Sequence, residues 1–183
     1  VLDRAIRNAR AKPLLDQAEA ALARGDAATL ERCCLAALEH VPGNPTFTHL
    51  LAVARGDHSA APPEGYVSSL FDGFAERFDR SMIEVLECRI PEMLARLAVP
   101  LMPDRRPARI VDLGCGTGLL GVELAGLKAE MTGIDLSRNM LDLAARRGIY
   151  ARLARGDIVE ELRKFPASST DAVLAADVFV YVG

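Results

Sequence analysis

Apolar residues in the first third of the chain recur at helical spacing. The Ala-rich run 14–22 predicts a first helix, closed by Gly25 and Asp26, with Asp26 placed to cap the next one. That second helix runs through residues 30–39 and stops at Pro42-Gly43-Asn44-Pro45. Asn44 is a natural N-cap with Pro45 in the first turn behind it, opening a third helix over 47–54. A Pro-containing linker follows at 59–65. Phe71, Phe74 and Phe78 then mark one face of a further helix, and Ser81 with Glu84 fits a capping box opening another, to about residue 97. The prolines at 100, 103 and 107 break the pattern again. From Arg109 the rhythm changes to short apolar strands at 109–113, 131–135, 150–154 and 171–177. Helices at 118–127, 138–147 and 158–164 separate them. Alternation of this kind predicts an α/β fold with a parallel sheet covered by helices. Three parts are expected: a helical segment 1–58, a linker with helices 59–107, and the α/β part 108–183.

The punctuation of the helical segment repeats. ALARGD at 21–26 returns as AVARGD at 52–57, an offset of 31 residues. Small residues, Gly-Asp turns and the PGNP between helices resemble the tetratricopeptide repeat, whose period is about 34 residues. About one and a half repeats are present, without the characteristic Trp and Tyr. The resemblance implies a surface for a protein partner. The Arg-Gly-Asp triplets at 24–26, 55–57 and 155–157 are read as turn chemistry rather than an adhesion motif.

Composition narrows the classes. Half of the 183 residues are apolar, and charges interrupt every candidate membrane span. No apolar stretch follows the basic residues of the first seven, so no secretion signal is expected. A net charge of -3 and a pI near 5.7 argue against a nucleic-acid surface. Cys33, Cys34, Cys88 and Cys115 form no CxxC pair and suit the reducing cytoplasm. His40, His49 and His58 are taken as surface histidines rather than a zinc site, and no metal is expected.

The chemistry concentrates at IVDLGCGTGLLG, residues 110–121. Its glycines leave the first strand at the end where α/β sheets bind ligands, and they permit close backbone approach. Two ligand families compete. Residues 116–121 fit the dinucleotide fingerprint GxGxxG, with Asp135 following Gly116 by 19 residues, which keeps a nicotinamide-dependent oxidoreductase as a rival. The longer string VDLGCGTG at 111–118 adds an acid two residues before the first glycine.

That string resembles motif I of the class I S-adenosylmethionine-dependent methyltransferases. The resemblance implies a Rossmann-like fold and S-adenosyl-L-methionine as cofactor, held at Asp112, Gly114, Cys115, Gly116 and Gly118. It implies that Asp135 accepts from the ribose hydroxyls, that Leu136 lies against the adenine, and that Met140 is a softer candidate for the same pocket. Gly156-Asp157-Ile158 matches the family's Gly-Asp, where the acid meets the adenine amino group. Asp177 ends the fourth strand near the methionine part. FDGFAERFD at 71–79 resembles the family's YDxxAxxYD helix, with Phe71 and Phe78 in place of both tyrosines. Each has a plainer role available: a core face for the phenylalanines, a strand-end acid for Asp112, a helix cap for Asp157.

The family sheet has seven strands and four are legible here. The C-terminal strands are therefore expected to be missing, as in a fragment of a longer protein. The whole resembles a group of bacterial methyltransferases that carry tetratricopeptide repeats. The methyl acceptor, small molecule or protein, does not follow from the residues, and no general base is assigned. The segment 177–181 lacks the Asn/Asp-Pro-Pro-Tyr of many amino-methylating enzymes. A non-catalytic cofactor-binding scaffold is the other rival.

Overall fold

The computed structural model describes residues 2–57, 62–104 and 107–179, with the side chains of 2–8 left aside. His58, residues 59–61 of the expected linker, and Tyr181 lie outside the described residues. The chain divides into two compact units, 1–66 and 67–182. The helices after the expected linker thus belong to the unit that contains the sheet.

The first unit holds α1 (Leu2–Ala23), α2 (Ala27–His40) and α3 (Pro45–Ala54). Their shared core uses small side chains, Ala18, Ala21, Cys34 and Ala37, so the helices approach closely around Leu30, Phe47 and Leu50. Both expected caps form. Asp26 accepts from the amide of Thr29 at 3.0 Å, and Asn44 accepts from those of Thr46 and Phe47 at 3.0 and 3.3 Å. The sequence repeat is a repeat of bonds. Asp26 N–H donates to the Ala21 carbonyl and Asp57 N–H to the Ala52 carbonyl, both at 2.9 Å. Gly25 and Gly56 each supply the left-handed residue, at φ 69° and 82°.

The second unit contains α4 (Glu64–Arg80), begun just before the division, and α5 (Ile90–Ala98). Then come β1 (Ala108–Leu113), α6 (Leu119–Leu124), β2 (Ala129–Asp135), α7 (Arg138–Arg146), β3 (Arg152–Arg155), α8 (Ile158–Leu162) and β4 (Ala172–Ala175). The expected helix from Ser81 to about residue 97 forms only in its second half, as α5. α4 runs straight into Ser81, so no free helix start exists for Ser81 to cap. Residues Ser81–Val85 form a π turn instead, with Leu86 N–H donating to the Ser81 carbonyl at 2.9 Å. Glu84 accepts from Arg80 at 3.0 Å. Helix α5 starts only after Arg89, with a proline in its first turn.

The strands pair in parallel in the order β3-β2-β1-β4. The strand order turns back between β1 and β4, which puts the ligand-binding crevice of such sheets beside the end of β1. Central β1 is covered on both faces, as its apolar run predicts. Ala108 and Ile110 pack with Leu120, Leu124 and Met131, while Val111 and Leu113 pack with Ile134 and Ile158. No helix among the described residues is long and apolar enough to cross a membrane.

Candidate functional site

The loop after β1 is built on three left-handed glycines, Gly114, Gly116 and Gly118, at φ 58°, 52° and 89°. A side chain at Gly114 would put its Cβ 2.2 Å from Cγ2 of Val178. The loop is anchored to β2 from two sides. Cys115 N–H donates to the Ile134 carbonyl at 3.0 Å, and Gly116 N–H donates to Asp135 Oδ2 at 2.8 Å. The other Asp135 oxygen accepts from Ser137 N–H at 2.8 Å. Burial raises the Asp135 pKa, the Ser137 and Gly116 amides oppose this, and the Asp72 charge adds to it.

Asp112 is 1% exposed. Its Oδ2 accepts from the hydroxyl of Tyr150 at 2.6 Å. Burial pushes its pKa up to about 7, against the Tyr150 bond that lowers it, while Asp135 raises it further. Burial likewise raises the Cys115 thiol well above its ordinary range, so this cysteine is no thiolate nucleophile at neutral pH.

Asp112, Gly114, Cys115 and Gly116 line a pocket of about 50 Å³ with Phe78, Met82, Cys88, Ile90, Pro91, Leu119, Leu120, Ala176 and Asp177. Phe71, Phe74 and Phe78 are half-buried and meet edge to face, Phe78 lying 6.4 and 5.7 Å from the other two rings. The buried face of α4 is Val67 and Ala75 instead. Phe78 stands over the loop, 3.7 Å from where a Cβ on Gly116 would lie.

The remaining candidates sit around the end of β2. Gly156 N–H donates to the Asp135 carbonyl at 3.0 Å. The Leu136 carbonyl accepts from Ser68 at 3.2 Å and Arg155 at 3.1 Å. Asp157 caps α8, one oxygen accepting from the amides of Val159 and Glu160 at 2.9 Å. Ile158 is buried in the core beneath, and Met140 is wholly buried. Asp177 is exposed at the pocket edge, in the left-handed region at φ 57°.

Four side chains around the site, Asp72, Asp79, Arg147 and Tyr150, are not singled out by the sequence reading. Asp72 Oδ1 accepts from Ser137 Oγ at 2.5 Å and Asn139 N–H at 3.0 Å, so α4 caps the start of α7. Asp79 accepts from Thr117 Oγ1 and from Arg147, and Arg147 Nε donates to the Thr117 carbonyl at 2.6 Å. Those bonds tie the end of α4 to the glycine loop. Both acids stand in the quoted helix motif, but nothing in it points to Arg147 or to Tyr150.

Residues 110–183 match the family model described as a methyltransferase domain. The demethylmenaquinone methyltransferase of Tropheryma whipplei (strain Twist) is 31% identical over 134 residues, 70% of this chain and 52% of that protein. Methyltransferase-like protein 27 of Homo sapiens is 34% identical over 110 residues, 57% of this chain and 43% of its own length. The chain thus spans about half the length of the curated relatives it matches. The magnesium protoporphyrin IX methyltransferase of Synechocystis PCC 6803, solved with bound SAH, aligns at a TM-score of 0.51 and 21% identity. That alignment covers 64% of this chain and 59% of the other, and shows a common fold.

Proposed function

We propose, from the methyltransferase-domain match over residues 110–183, that the protein binds S-adenosylmethionine at the glycine loop and methylates an acceptor. The observation that carries the reading is the charge around the loop. Asp112 and Asp135 are held directly beside it and Asp177 lies at the pocket edge. Arg147, the cation beside Gly118, is taken up by Asp79 and the Thr117 carbonyl. Such a site repels a pyrophosphate and attracts an ammonium and a sulfonium. Asp135, with lone pairs beyond those given to Gly116 and Ser137, would accept from ribose hydroxyls, and Asp112 from the amino group. Gly156, Asp157 and Leu136 would flank the base, and Phe71 and Phe78 would close over the ligand. The bound cofactor supplies an activated methyl group for in-line displacement. The chain's own contribution is to orient it and to exclude water with the apolar residues Phe78, Met82, Ile90 and Leu119.

The first unit reads as a tetratricopeptide-like segment for a protein partner, supported by the repeated Gly-Asp turn. The four unpaired cysteines support a reducing, cytoplasmic setting. The test is titration calorimetry with S-adenosylhomocysteine and with NAD, repeated on Asp135→Ala. S-adenosylhomocysteine binds the wild type and the substitution abolishes it. Binding of NAD in its place overturns the reading.

A further inference from the structure

Gly121, Gly133 and Gly118 surround one side chain. A Cβ on Gly121 would lie 2.7 Å from the Tyr150 hydroxyl oxygen, one on Gly118 2.9 Å from its ring, and one on Gly133 3.1 Å from it. The third glycine of the GxGxxG string therefore makes room for Tyr150 rather than for a phosphate. The ring is fixed, and its hydroxyl is delivered to Asp112 at 2.6 Å.

We propose that Tyr150 is a positioning residue for cofactor capture: it donates to one oxygen of Asp112 and leaves the other as acceptor for the ligand's ammonium group. The inference rests on the function proposed above and adds a residue to it. The energetics require such a donor. Asp112 is 1% exposed beside the pocket, and burial favours its neutral form. A neutral Asp112 offers no charge to an ammonium. The groups facing it work in both directions. Asp135 on β2 opposes its ionisation, Cys115 in the loop stays a neutral thiol, and Tyr150 favours the ionised form. Asp177 and Cys88 line the same pocket, and Arg147, beside Gly118, is engaged by Asp79.

The experiment follows Asp112 itself and the ligand it serves. Aspartate carboxyl ¹³C shifts are titrated in the unliganded protein, and S-adenosylhomocysteine affinity is measured from pH 6 to 9. Tyr150→Phe should raise the Asp112 midpoint by about one unit and weaken binding about fivefold at pH 7, with recovery by pH 9. A 3-fluorotyrosine at the same position, a stronger donor, should move the midpoint down. Asp112→Asn should remove this pH dependence and make the Tyr150→Phe change silent. A loss that is uniform across pH, or an unmoved Asp112 titration in both Tyr150 variants, overturns the proposal and leaves the ring a packing element. If the wild type binds no S-adenosylhomocysteine, the proposed function falls and takes the ligand role with it. If the wild type binds and only the profiles fail to shift, the role of Tyr150 alone falls.

Discussion

Two residues of the glycine string bear on stability for different reasons. Gly114 combines φ 58° with Val178 packed where a side chain would go. Gly114→Ala should cost roughly 2–4 kcal/mol, from backbone strain plus overpacking, read as a lower urea midpoint. Asp112 costs the fold stability through its charge. Its carboxyl has an ordinary value of 3.8 and a folded value of about 7, so the native state holds a proton that the unfolded chain releases between the two. Stability from this group is therefore present at low pH and lost as pH rises toward 7. Asp112→Asn removes that loss. The melting temperature of the variant relative to wild type should rise from pH 5 to pH 8, and a difference that shrinks over that range would contradict the burial argument.

Among the elements, α4 acts as a strap over the loop and the start of α7. Asp72→Ala removes a cap shared by Ser137 and Asn139 and should cost roughly 1–2 kcal/mol, while Asp72→Asn keeps an acceptor and should cost less. Asp79→Ala should release Thr117 and Arg147 and weaken S-adenosylhomocysteine binding several-fold, with a smaller effect on stability because the Arg147 pair is partly solvated. Calorimetry and urea unfolding together separate the two. These straps explain what was legible in the sequence. Asp26, Asn44, Ser137 and Asp157 were readable as caps because the amides they meet lie two or three residues away. The four strands and their order of helices followed from local periodicity. Ser81 misled because a capping box describes a helix start, and here α4 had not yet stopped. Tyr150, Arg147 and the partners of the two α4 acids were hidden because each pair meets across 30 to 68 residues of chain. The phenylalanine stripe has the spacing of a core face, yet stays half-open because Val67 and Ala75 take that part.

At the level of the whole molecule, each unit draws its core from its own residues. In this chain β4 pairs only with β1 among the described strands, and Val173 on it is 50% exposed. The first unit carries a consequence for heredity. Its two Gly-Asp turns, 31 residues apart, repeat the same bonds in the same frame. Unequal crossing-over between the two copies joins ends that already match. Length variation in this segment among descendants should therefore come in whole steps of that period, and scattered single-residue insertions inside it should be rare.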